Sequence, residues 1–146
     1  MAYFTSPIKS DNEIMHAISI AIYAMVAASV LPFMTSGLAK LLGRFKLKDN
    51  DNPRVFQQGL TGIAQRTHAA QLNAYETLPV FLAAVLTAEY MVVQQGVINQ
   101  LAWAYVILRV LYVLAYMINM SVLRSILWTF SFACSMLLFY FSLRAN

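Results

Sequence analysis

A chain of 146 residues that is 60% hydrophobic and only 11% charged, with mean hydropathy +0.63, has no room for a separate soluble domain. Such domains carry about 25% charged residues, and the longest polar stretch here runs only from Arg44 to Gln58. The net charge of +4 does not indicate nucleic acid, because Lys40, Arg44, Lys46, Lys48 and Arg54 crowd one short loop between apolar segments with no recognition motif.

In chain order, residues 1–13 are mixed and polar, and the apolar run that follows is too long for the core of a signal peptide and lacks a cleavage site. That run is therefore expected to stay in the mature protein as a first membrane span over about 14–42, with His16 at the interface and Pro32 near its middle. It exceeds the roughly 20 residues a bilayer requires, so tilt, a bend at Pro32 or a projecting end has to absorb the excess. A second helix is expected to start near Val55, leave the loop around Thr67 and cross to about Val93. Gln94-Gln95-Gly96 breaks the pattern, and a third span covers about 98–117. Residues 119–125 read as a tight polar turn, followed by a fourth span over about 126–143 that contains the single cysteine, Cys134, as a packed thiol.

The fold class expected is all-α, an integral membrane four-helix bundle forming one domain over residues 1–146. Four spans put both termini on one side. The first and third loops hold Lys40, Arg44, Lys46, Lys48, Arg54, Arg66 and Arg124, the second loop holds no charge, and the ends of the chain offer only Lys9 and Arg144. The excess of cations places loops one and three in the cytoplasm and the termini outside. No internal repeat is visible.

Charges at or inside the apolar stretches call for a further reason. An ionisable side chain at mid-bilayer costs about 3 kcal/mol on insertion scales, so it has to face a bundle interior, find an opposite charge or line a site. On the second helix, Arg66, Ala70, Asn73 and Thr77 are spaced by four, three and four and fall on one stripe, with Glu76 to its side. On the third, Tyr105, Arg109, Tyr112 and Tyr116 repeat that spacing, and Arg124 and Ser125 follow at the mouth of the fourth. Glu76 and Arg109 either neutralise each other across two helices or belong to a site. Asn73 is equally an interhelical hydrogen-bond link or a ligand contact, and His68 faces either the loop or the site. Arg124 is either a site cation or a helix-end arginine reaching for the lipid surface.

Such groups suit an anion. Arg66, Arg109 and Arg124, near phenols and Ser125, could hold carboxylates or stabilise a thiolate. There is no phosphate-binding glycine loop, no nucleophile–base triad, no carboxylate pair and no metal-ligand spacing. A bound cofactor has to bring the nucleophile.

The run Asn52-Pro53-Arg54, then Arg66-Thr67-His68 through Asn73, Glu76 and Pro79, resembles the MAPEG superfamily, the membrane-associated proteins of eicosanoid and glutathione metabolism. Arg109 with Tyr112 and Tyr116, then Arg124-Ser125, is similar to the third-to-fourth-helix region of its prostaglandin E and leukotriene C synthase members. The resemblance covers nearly the whole chain and is closest to the short bacterial branch, which implies an inner-membrane location. It implies a homotrimer with glutathione between neighbouring subunits near the cytoplasmic face. By motif, Asn73, Glu76 and Tyr116 would contact glutathione, Arg124 would lower its thiol pKa beside Ser125, and Trp128 falls where those synthases place a tyrosine. Arg66, Arg109 and Tyr112 complete the expected cofactor-binding set. Two positions depart from the pattern: Ala69 stands where glutathione-using members carry an arginine, and Tyr112 where the prostaglandin synthases carry a histidine.

The function implied is a membrane-bound glutathione-dependent transferase or peroxidase acting on hydrophobic electrophiles, with catalytic residues Arg124, Ser125 and Tyr116. The alternative is a non-catalytic lipid-binding or scaffold protein of the same fold, which Ala69 favours. Expected partners are further copies of the chain, membrane lipids and a hydrophobic small molecule. A channel or transporter finds no support, since the charges gather near one face and no inverted repeat is present.

Overall fold

The computed structural model describes the backbone of residues 11–145 and side chains from residue 20 to 145; Lys9 and the side chain of His16 lie outside the described residues. Among the described residues the chain is helical with no strand. Its helices are α1 (Asp11–Leu42), α2 (Pro53–Gln58), α3 (Gly62–Tyr90), α4 (Gln95–Met117) and α5 (Ser121–Arg144), with a 3-10 turn at Leu47–Asp51. The four long helices pack on one another through α1–α3, α1–α4, α3–α4, α3–α5 and α4–α5 contacts. Chain direction alternates, so the α1–α3 connection and the α4–α5 turn meet at one end, referred to below as the basic end.

By length and composition, Ile20–Leu42, Gln95–Met117 and Ser121–Arg144 can cross a membrane. The second expected span falls on α3, which is not among them. Its buried face is written in small and polar residues such as Ala64, Thr67, Ala70, Gln71, Ala74 and Thr77. That face lets α3 lie close against α1, α4 and α5. The main core sits at the opposite end, where Ala21, Ala24 and Ala28 of α1 meet Phe81, Val85 and Ala88 of α3, Ile98 and Ala102 of α4, and Leu138 of α5. Outside that core the helices present apolar residues: Phe33, Met34, Leu86, Ile107 and Phe130 are exposed. This is the inverse of a soluble bundle and the pattern of a protein solvated by lipid.

Two local expectations need correction. The second helix does not run on from Val55. Asn52 caps α2 by accepting from the Val55 N–H at 3.4 Å, Pro53 occupies the first turn, and the chain turns at Gly59 before α3 begins at Gly62 with φ +59°. That φ is open to glycine without steric cost. The expected turn over 119–125 shrinks to three residues, because α4 ends in a Schellman motif. The N–H of Asn119, at φ 63°, bonds to the Tyr116 carbonyl, and that of Met120 to Ala115 at 2.9 Å. With α4's orphan carbonyls satisfied in so few residues, α5 starts at Ser121.

The same motif ends α1 at Arg44 (φ 58°) and α3 at Val92 (φ 55°), with Phe45 N–H on the Lys40 carbonyl and Val93 N–H on Ala88, both at 3.0 Å. Glycine or asparagine is the usual residue at such a position, and a β-branched valine there is a genuine outlier.

Candidate functional site

Helix α3 supplies Asn73, Glu76 and Thr77, and the antiparallel α4 supplies Tyr105, Arg109, Tyr112 and Tyr116. The two stripes face each other. Arg109, 1% exposed, is the bulkiest fully buried side chain among the described residues. Its Nη2 donates to Asn73 Oδ1 at 2.9 Å, and its guanidinium lies 4.4 Å from the centre of the Tyr112 ring. Asn73 Nδ2 in turn donates to Glu76 Oε2 at 3.1 Å. Glu76 and Arg109 are therefore joined through the Asn73 amide, and no ion pair links them directly among the described residues. One turn deeper, the Tyr105 hydroxyl donates to Thr77 Oγ1 at 3.2 Å and its ring stacks on Phe81 at 3.9 Å. A buried guanidinium normally fills all its donors, yet Arg109 Nη1 has no partner among the described residues.

Toward the basic end the ladder continues through two phenols to a second cation. Tyr112 and Tyr116 meet edge to face at 5.3 Å, and the Arg124 guanidinium lies 4.2 Å from the Tyr116 ring centre. The three-residue turn makes this contact possible, since it folds the start of α5 back onto the last turn of α4. Tyr112, Arg124, Ser125, Trp128 and Thr129 line a cavity of about 170 Å³. Trp128 is held by stacking on Phe132 at 5.2 Å. Ser125 Oγ donates to the Ser121 carbonyl at 3.2 Å, which spends its proton within the helix and leaves its lone pairs as acceptors. Thr129, the residue one turn after Ser125, is a lining residue that the sequence reading did not single out, although i, i+4 spacing from Ser125 pointed to it.

Arg66 is placed apart from this cavity. Its Nε and Nη2 donate to the Met117 carbonyl at 3.2 and 3.1 Å, so it satisfies an orphan carbonyl at the end of α4 and ties α3 to α4. His68 faces its own helix, with Nδ1 at 3.0 Å from Gln71 Oε1. Cys134 is a buried free thiol. Among the described residues no cluster of three His, Cys, Asp or Glu side chains could hold a metal ion. A second cavity, of about 290 Å³, opens between α1 and α4, where Leu31, Leu38, Val110, Leu114 and Met117 surround the single polar side chain of Thr35. The Thr35 hydroxyl already bonds to the Leu31 carbonyl at 2.7 Å.

What the arrangement offers chemically is a cation at the mouth of a small cavity. The flat face of Arg124 is fixed by a ring, and its edge donors have no hydrogen-bond partner among the described residues. Such a group suits an anion. The model of the MAPEG family matches residues 20–144 of the chain. No curated protein and no solved structure matches.

Proposed function

The chain belongs to the MAPEG family, and on that premise we propose that it is a membrane-bound glutathione-dependent transferase or peroxidase acting on hydrophobic electrophiles. The observation that carries the reading is Arg124, held on the Tyr116 ring at 4.2 Å beside the cavity lined by Ser125 and Trp128. Its charge is fixed in orientation and favours a deprotonated thiol over a neutral one. Glutathione, when bound, would supply a sulfur nucleophile for displacement at an electrophilic carbon or, with a second glutathione, the two electrons that reduce a hydroperoxide to alcohol and water. Arg124 holds the negative charge before the reaction, Ser125 accepts a proton-bearing donor at the cavity rim, and Asn73 with Glu76 meets the polar backbone of the tripeptide.

A cavity of about 170 Å³ falls below the roughly 300 Å³ at which small-molecule sites begin, so one protomer supplies part of a site. Glu76, exposed on the protomer about 20 Å along α3 from its first residue, is a carboxylate that lipid would not solvate. A homotrimer in which the neighbour covers Glu76 and completes the cavity accounts for both, with α3 as the fourth crossing and the basic end in the cytoplasm.

A second reading, a lipid-binding protein of the same fold, draws on the apolar cleft between α1 and α4 and on Ala69, which leaves Arg66 as the nearest cation, already engaged by Met117. Turnover separates the two. The purified full chain, given glutathione with a halonitrobenzene or an organic hydroperoxide, is expected to form product at a rate that saturates with glutathione. Absence of glutathione-dependent turnover on both classes of substrate would leave the lipid-binding reading standing.

A further inference from the structure

The α1–α2 connection forms a third cavity that neither functional reading uses. At the point where the apolar span Ile20–Leu42 ends, a notch of about 360 Å³ opens between the end of α1 and α2, with Leu42, Val55, Phe56 and Leu60 as its apolar wall and Arg44 at its rim. Its geometry is built. Phe56 packs edge to face on Phe45 at 4.9 Å, Lys40 lies 4.8 Å from the Phe45 ring centre, and Gln57 Nε2 donates to Ser36 Oγ at 3.3 Å. Gly43 lets the two helices close, since a Cβ there would run into Leu60 and press on Phe56 Cζ at 3.0 Å.

We propose that this notch binds the headgroup of an anionic phospholipid. Three observations converge on that occupant. Lys40, Arg44, Lys46, Lys48 and Arg54 outnumber Asp49 and Asp51 along the connection that forms it, with Arg44 in its lining, and a juxtamembrane cluster of this kind attracts anionic lipid. Apolar side chains stand exposed among those cations: Leu47 is 94% and Val55 60% exposed, between Lys46 and Lys48 and next to Arg54. Leu side chains set among lysines in this way belong at a lipid interface, with the apolar groups at the acyl boundary and the charges at headgroup level. Finally, Arg44 occupies the left-handed cap position of α1, with its N–H on the Leu41 carbonyl at 3.1 Å. Glycine fills such a position at lower conformational cost, so the arginine there is locally unfavourable, and it lines the notch.

The cap position supplies the test. Arg44→Gly relieves the backbone and removes the cation, so stability and lipid binding move in opposite directions. The full chain is placed in phosphatidylcholine vesicles with trace spin-labelled phosphatidylglycerol or phosphatidylcholine, and the immobilised fraction of each label is compared. The protein is expected to prefer phosphatidylglycerol, and Arg44→Gly to cut that preference about fivefold while its melting temperature holds or rises. Lys48→Gln removes the same charge away from the notch and is expected to cut it less than half as much. Gly59→Leu, whose Cβ meets only ordinary contacts with the Phe56 and Val55 carbonyls, fills the notch without changing charge and is expected to match Arg44→Gly. Equal losses for Arg44→Gly and Lys48→Gln would reduce the effect to a diffuse surface field. No preference in the parent protein, or displacement of the label by millimolar inorganic phosphate, would overturn the lipid assignment.

Discussion

Replacing Arg124 with alanine is expected to remove the thiolate signal of bound glutathione while leaving the helical bundle intact. The residue is half-buried at the start of α5 and its guanidinium makes one ring contact, with Tyr116, so little packing is lost. A thiol restored to its ordinary pKa of about 8.5 is only about 3% ionised at pH 7, against a mostly ionised one beside a fixed cation. The thiolate band at pH 7 is therefore expected to fall more than tenfold. The rate is expected to fall less, roughly two- to threefold, because a more basic sulfur is intrinsically more nucleophilic. The sign of the pH dependence follows. On the proposed function, the parent protein is expected to reach its rate plateau below neutrality, above a lowered thiol pKa, whereas the variant is expected to keep gaining rate as pH rises through about 8.5. Arg124→Lys keeps the charge but loses the flat guanidinium that the ring holds, and its profile is expected to lie between the two. A variant profile superimposable on the parent's would remove Arg124 from the chemistry.

The second large effect is on stability and concerns Asn73. Its amide is the hydrogen-bond acceptor for a guanidinium that is 1% exposed. Asn73→Ala leaves that charge buried beside a ring face alone, and a hydrogen bond to a charged group is worth about 1.5–3 kcal/mol. Interhelical bonds in membranes run lower, up to about 1.7 kcal/mol, so a loss of about 1.5 kcal/mol is expected. Arg109→Met removes the charge together with its need for a partner and is expected to cost less, about 1 kcal/mol. The double variant should then resemble Arg109→Met. Unfolding in mixed detergent micelles reads all three. Additive losses in the double variant would mean that the two side chains do not act as a unit.

Much of the architecture was legible because lipid imposes a simple code. Apolar runs long enough to cross a bilayer announced α1, α4 and α5, and the polar stripe from Arg66 to Thr77 marked α3 as a helix with one face turned inward. The same four-three-four spacing on α4 put Arg109 on the face that meets Asn73. Less legible were contacts fixed by ends of helices. Ser121–Ser125 looked like a turn because its polar residues gave no period, whereas the Schellman cap at Asn119 set the true start of α5. That cap also decides that Arg124 meets Tyr116. Arg66 sat on the right stripe but was captured by the Met117 carbonyl, a backbone partner that side-chain patterns do not reveal. Glu76 and Arg109 read as a direct pair or as parts of a site, and Asn73 equally as an interhelical link or a ligand contact, whereas its amide joins the two. The family match over residues 20–144 agrees with the resemblance carried by these motifs, and the roles of the individual residues stand as proposals.

The central claim is that the cation at the mouth of α5 serves a glutathione thiolate, and binding of glutathione to the purified protein tests it most directly. Calorimetry of the detergent-solubilised full chain, with ultraviolet detection of the thiolate, is expected to show saturable binding with a thiolate band at neutral pH. Titration to millimolar glutathione with neither heat nor band would contradict the account and turn attention to a lipid in the α1–α4 cleft.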